Sequence, residues 1–249
     1  MGEGGKDVYH RLKVFTWLCG LALLIFLIAY PVQEAKDTWQ TWSLPLAGKV
    51  IVLDPGHGGV DGGAEGPEED NVQEKDIALN ITKYLQDYLQ QGGALVYLTR
   101  SDDRDLAAED TDGYSRRKTE DLRNRLAFIH EKEPDIFLSI HLNALPASEW
   151  RGAQTFYYPD LEQSEHLAKF IQAEIVRNLE NTTRSVLAIN GMYLLKHANV
   201  PGALVEAGFL SNPHERNLLK KDSYQRKMAA SIYEGILRYS SEEEYPGSN

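Results

Sequence analysis

Four residues of this chain, His57, Glu74, His141 and Glu206, stand in settings that suit chemistry. His57 lies in Asp54-Pro55-Gly56-His57-Gly58-Gly59, directly after an apolar run, and His141 lies in Ser139-Ile140-His141-Leu142-Asn143-Ala144, at the end of another. Glu206 closes a third run, before Ala207-Gly208-Phe209, and Glu74 opens a helix-like stretch after a glycine-rich segment. Two imidazoles and a carboxylate suit a catalytic zinc, which takes three protein ligands and leaves a position for water, whose pKa then falls to about 7. A further carboxylate, not bound to metal, can carry a proton. Each residue also has a plainer reading. A histidine at a strand end often does no more than hydrogen-bond a loop, and a glutamate suits any helix N-terminus. Glu206 is harder to dismiss, because burying a carboxylate after an apolar strand is costly without a task. The chain has no HExxH helix, no GxSxG elbow and no Walker-A lysine.

The elements that would position these residues alternate in type. Short β-branched or apolar runs predict strands at Lys49–Leu53, Ala94–Thr99, Ile136–Ile140, Gln154–Tyr158, Met192–Leu195 and Ala203–Val205. Helical spacing predicts helices at Glu74–Gln90, Glu120–Glu131, Ser164–Leu179 and Asp222–Tyr239. The polar Ser101–Thr119 stretch reads as a long exposed loop, suited by composition to regulation or partner docking. The expected fold is therefore α/β: a single domain with a mainly parallel central sheet of about six strands and helices on both faces. Ligand sites in such sheets gather at the carboxyl ends of strands, where His57, His141 and Glu206 fall.

Composition narrows the partners. A net charge of −11 argues against nucleic acid and against electrostatic docking on anionic lipid. The single cysteine, Cys19, excludes an intramolecular disulfide and a thiolate zinc site. It sits in an uncharged run, Val14–Tyr30, whose 17 residues would span about 26 Å as a helix, close to the ~30 Å hydrocarbon core of a bilayer. Basic residues precede the run and acidic ones follow it, which predicts a cytoplasmic N-terminus and an exported remainder. The expected organisation is a basic cytoplasmic segment 1–13, a transmembrane anchor or uncleaved signal 14–32, a tether 33–48, a catalytic domain 49–239 and a disordered acidic tail 240–249. A cleaved signal would instead give a secreted protein.

The ordered set DPGHGG, Glu74, SIHLNA and VEAGFLSN resembles the zinc-dependent N-acetylmuramoyl-L-alanine amidases, over roughly Lys49 to Tyr239. The resemblance implies one zinc per chain, held by His57, Glu74 and His141, with Glu206 as the catalytic acid/base. It also implies a peptidoglycan substrate, cut at the amide between the muramic lactyl group and L-alanine. Within that family the chain is similar to the germination-specific branch of endospore formers. That branch is short, carries an N-terminal apolar segment and lacks wall-binding repeats. This implies a membrane-anchored, extracytoplasmic enzyme at the spore envelope, which bares muramic acid for conversion to muramic-δ-lactam in the cortex. An accessory protein of unknown identity is compatible with it. Two other functions are weighed. Another peptidoglycan zinc peptidase, such as a carboxypeptidase, would need a cationic clamp, for which Arg100, Arg123 or Arg125 is available. A non-catalytic wall-binding protein would not need Glu206. Arg100 and Asn143 flank the expected site and are candidates for substrate contact.

Overall fold

The structure is a computed structural model and describes residues 4–41, 44–67 and 70–241. The chain divides into two compact units between Leu44 and Pro45. The first is one helix, α1 (Gly4–Thr41), in which Val8–Phe26 has a mean hydropathy of 1.3 and is long and apolar enough to cross a membrane. The helix continues through most of the stretch expected to be a tether, and Leu46, also expected there, is fully buried in the second unit.

The second unit is an α/β domain around a six-stranded sheet, as the alternation of elements predicts. In chain order its elements are β1 (Val50–Pro55), α2 (Glu74–Gln91), β2 (Leu95–Leu98), α3 (Tyr114–Lys132), β3 (Ile136–Asn143), β4 (Gln154–Tyr157), α4 (Glu162–Leu179), β5 (Leu187–Ala188), α5 (Tyr193–His197), β6 (Gly202–Phe209), α6 (Pro213–Leu219) and α7 (Asp222–Ser240). The strand order is β2-β1-β3-β6-β4-β5, parallel except for the antiparallel β4–β6 pair.

Successive side chains of a strand face opposite ways, so each central strand feeds two cores. Ile51, Leu53, Ile136, Leu138, Ala203 and Val205 pack beneath α2, α4 and α7. Val52, Phe137 and Leu204 point the other way, toward Ile129 of α3 and Leu194 and Leu195 of α5. Covering on both faces is what a largely parallel sheet requires. Continuing the second set toward the strand ends brings Asp54, Ser139, His141 and Glu206 to the α3/α5 face, with Asp54 beside Ser139 and His141 beside Glu206 in register.

The structure corrects three element boundaries. Met192–Leu195 is not a strand: the neighbouring Leu194 and Leu195 are both buried against one core, which a helical turn permits and strand alternation does not. The sheet still has six strands because the two-residue β5 was not expected. Ser101–Thr119 is not wholly loop, since α3 starts at Tyr114. Its first turn and the preceding segment are tied together by Arg117, which donates from Nε and Nη2 to Asp105, both at 2.8 Å. Of the expected tail, Ser240 closes α7, and residues 242–249 lie outside those described.

Candidate metal centre and catalytic cleft

The loop after β1 carries His57 with φ at +60°, a left-handed conformation unusual for a residue with a Cβ. Glycines make its surroundings possible. A Cβ at Gly56 would lie 2.3 Å from the His141 ring, and one at Gly63, itself at φ +72°, would lie 2.5 Å from Glu74 Oε2. Glu74 is the first residue of α2, where the helix dipole favours a carboxylate. Its side chain is fixed by two backbone donors, Ala64 N–H to Oε2 (2.7 Å) and Leu142 N–H to Oε1 (2.9 Å).

The two imidazoles meet this carboxylate from different sides. His57 Nε2 is 3.2 Å from Glu74 Oε2, and His141 Nδ1 is 2.8 Å from Glu74 Oε1. The rings stand nearly perpendicular, 80° apart, with centroids 5.1 Å apart. One donor atom from each of the three residues falls within 4.8 Å of the other two, and no other such group occurs among the described residues. The geometry fits a small divalent cation: nitrogen and oxygen donors converge, and the second nitrogen of each ring faces a partner of its own.

Those partners were not singled out from the sequence. His141 Nε2 lies 3.1 Å from Ser139 Oγ, and the Ser139 hydroxyl donates to Asp54 Oδ2 at 2.7 Å. This chain places the proton on Nε2 and leaves Nδ1 for the centre. Asp54 is held at about 2, because the Arg125 charge and hydrogen bonds from Thr99, Arg125 and Ser139 overcome the opposing effect of its burial. On the other ring, His57 Nδ1 sits 2.9 Å from Asp61 Oδ2, although the contact is off the line of a good hydrogen bond. Asp61 in turn pairs with Lys118 at 2.9 Å. Their signals were present, Asp54 and Ser139 inside the two motifs and Asp61 four residues after His57. Asp61→Asn is expected to weaken metal binding about 10- to 100-fold. Competition against a chelator dye measures this directly, and an unchanged affinity would show that Asp61 does not orient the ring.

Glu206 stands apart from these three residues. It neighbours His141 across the β3–β6 pair, and its Oε2 is enclosed without a hydrogen-bond partner. Burial pushes its carboxyl up to about 7; the nearby Glu74 charge adds to this, and the two histidines offset it. His141 is raised as well: burial opposes its charged form, but the Glu74 hydrogen bond and charge outweigh that. Both groups therefore hold a proton more tightly in the folded than in the unfolded chain. The stability they add is complete below about 4.5 for Glu206 and 6.5 for His141, and it drains as pH rises through the folded values. Metal-free protein is expected to lose on the order of 2 kcal/mol through Glu206 between pH 5 and pH 8. Urea unfolding of the chelated chain at both pH values would measure this, and stability that is level or rises with pH would contradict it.

All four residues line one cleft of about 450 Å³, together with Asn143 and Tyr193. The site residues anticipated from the motifs are thus brought together. Arg100 is not a substrate contact. It is buried, and its guanidinium donates to the carbonyls of Pro55 (3.0 Å), Gly56 (2.8 Å), Lys75 (2.8 Å) and Asp102 (3.0 Å). Arg125 is likewise consumed inside the domain, and Arg123 is exposed on α3 without lining the cleft, so none of the three serves as a clamp for a terminal carboxylate.

The sequence profile described as N-acetylmuramoyl-L-alanine amidase matches residues 51–238, which hold all four residues. The chain belongs to the N-acetylmuramoyl-L-alanine amidase family. Among amidases of known function, it is 52% identical over 236 residues to the germination-specific N-acetylmuramoyl-L-alanine amidase of Bacillus subtilis, covering 95% of this chain and 98% of that one. Among solved amidases, the CwlD amidase of Clostridioides difficile, in complex with the GerS lipoprotein, superposes with a TM-score of 0.76 at 43% identity, covering 78% of this chain and all of that one. An N-acetylmuramoyl-L-alanine amidase from Clostridium difficile 630 gives 0.69 at 30% identity, over 78% and 98% of the two chains. The resemblance expected from four short motifs is borne out at the level of family and fold, and the likeness to the germination-specific branch extends over nearly the whole sequence.

Proposed function

We propose that this chain hydrolyses the amide between the muramic lactyl group and L-alanine of peptidoglycan, using one zinc ion held by His57, Glu74 and His141 and a proton carried by Glu206. The observation that carries this reading is the enclosed, unpartnered Glu206 carboxyl beside a converging His–Glu–His set on an open cleft. Zinc suits two imidazoles and a carboxylate, and when bound it would polarise the scissile carbonyl and lower the pKa of the attacking water. The protein supplies the rest. His57, Glu74 and His141 fix the centre, each ring steered by its own polar partner. Glu206, enclosed beside His141 and without a hydrogen-bond partner at Oε2, would accept a proton from the attacking water and return it to the departing L-alanine nitrogen. No covalent intermediate is required.

The similarity to the Bacillus subtilis enzyme supports a role in germination, and the route proposed for it is the baring of muramic acid for muramic-δ-lactam in the spore cortex. The apolar segment of α1 supports a chain anchored in the cytoplasmic membrane with its catalytic domain outside, at the spore envelope. The complex formed by the Clostridioides difficile relative supports a lipoprotein as the accessory partner.

Mass spectrometry of purified peptidoglycan digested by the zinc-loaded full chain tests the reaction. The expected products are free stem peptides beginning with L-alanine, abolished by chelation and restored by zinc. Release of a terminal amino acid alone would assign the site to a carboxypeptidase, and intact peptidoglycan recovered bound to the chain would assign it to wall binding.

A further inference from the structure

Glu206 and Asn143 also line a second, smaller hollow of about 150 Å³, next to the main cleft. Its wall carries Trp150, Gln154, Arg184 and Phe209. Arg184, just before β5, is tied in place. Its Nε donates to the Arg151 carbonyl at 3.2 Å and its Nη1 to Gln154 Oε1 at 3.1 Å, while the guanidinium lies 5.6 Å from the Trp150 ring and 5.2 Å from that of Phe209. Among the described residues no carboxylate lies within ion-pair distance of it, and its Nη2 makes no hydrogen bond. Of the acidic groups nearby, Glu215 spends its two oxygens on the backbone N–H groups of Gly152 and Phe209, both at 2.8 Å, and Glu206, which lines the same hollow, makes no ion pair with the guanidinium. The basic side chains lining the main cleft differ in that they are already neutralised, Lys118 by Asp61 and Arg125 by Asp54 and Asp121.

A guanidinium lying over two aromatic rings, with two of its nitrogens tied back and an edge left over, is preorganised for a planar anion. The reaction proposed above says which anion. In the uncleaved substrate the lactyl carboxyl is locked in the scissile amide, and the sugar next to it carries only neutral groups. The first negative charge is therefore on the stem, at the free α-carboxylate of the isoglutamate that follows L-alanine. We propose that the Arg184 hollow is the subsite for this carboxylate, so that the enzyme selects stems with a free acid over stems amidated at that position. This rests on the amidase reading and adds the feature of the stem that the site reads.

The test compares a disaccharide tetrapeptide carrying isoglutamate with the same compound carrying isoglutamine, using the zinc-loaded full chain and its Arg184→Gln variant. A charge-assisted hydrogen bond is stronger than a neutral one, so wild-type kcat/KM is expected to favour the free acid about tenfold or more, mainly through KM. Arg184→Gln is expected to bring the two substrates level by slowing only the acid form. Equal rates on both substrates with the wild type, or an unchanged preference in the variant, would overturn the subsite and leave the amidase reading standing. Cleavage of neither substrate would overturn both. The wild-type comparison needs no variant, so poor folding of Arg184→Gln cannot blunt it.

Discussion

Replacing Glu206 by Gln is expected to lower kcat on purified peptidoglycan about 10²- to 10⁴-fold, the range for losing a positioned acid/base, with metal content unchanged. Gln is nearly isosteric but cannot take up a proton. The proposed ligand set is elsewhere: Glu74 contacts the two imidazoles, and Glu206 neighbours them through its place beside His141 in the β3–β6 register. Because Glu206 is enclosed and its ionisation is disfavoured, the neutral amide is expected to leave the metal-free fold as stable as before near pH 8, or more so. The outcome has three parts: activity lost, zinc retained at one per chain, stability kept. Retained activity would remove Glu206 from the mechanism, and loss of zinc would reassign it as a ligand.

The second large effect lies behind the site. Arg125→Met is expected to cost about 3–5 kcal/mol of folding stability, the scale for leaving one member of a buried ion pair without its partner. Arg125 is 1% exposed and donates to Asp54 (2.7 Å), the Pro55 carbonyl (2.9 Å), the His57 carbonyl (2.6 Å) and both oxygens of Asp121. Without it, Asp54 keeps only the hydroxyls of Thr99 (2.6 Å) and Ser139 (2.7 Å). The Ser139–His141 contact then loses its anchor, so zinc affinity should fall along with stability. Denaturant unfolding measures the first effect and chelator competition the second. Arg125→Lys is expected to rescue little, because one ammonium cannot reproduce a fork that reaches five acceptor atoms on four residues. A loss below about 1 kcal/mol would show that the network is not under the tension its burial implies.

Three members of the candidate site, His57, His141 and Glu206, were legible in the sequence because each sits where an apolar run stops, and a parallel sheet gathers such positions at one edge; Glu74 was marked instead by the helix it opens. The supporting layer was harder to read. Asp54 looks like a loop residue after a strand, yet β1 continues through Pro55 and turns Asp54 onto the face shared with Ser139. Arg100 read as a candidate substrate contact, and Arg100 and Arg125 as candidates for the clamp a carboxypeptidase would need, because arginines near a site commonly serve so. Only three-dimensional packing shows their donors saturated by carbonyls and carboxylates. The shortest elements escaped for a different reason: β5 has two residues and α5 five, too few for any period to register. At α6 a cap signal was present, Asn212 before Pro213, with the Asn212 side chain accepting from His214 N–H (3.0 Å) and Glu215 N–H (3.1 Å), but the helix is only seven residues long.

The sheet order also divides the site along the chain. His57, Glu74 and His141 all belong to the β1–α2–β3 portion, so the three converging donors are encoded in the first 143 residues. Glu206 comes on β6, the last strand in the chain, which lies between β3 and β4. A fragment ending at β3 would therefore carry the three donors and lack the enclosed carboxyl, so the four residues meet only in a sheet that holds its last strand.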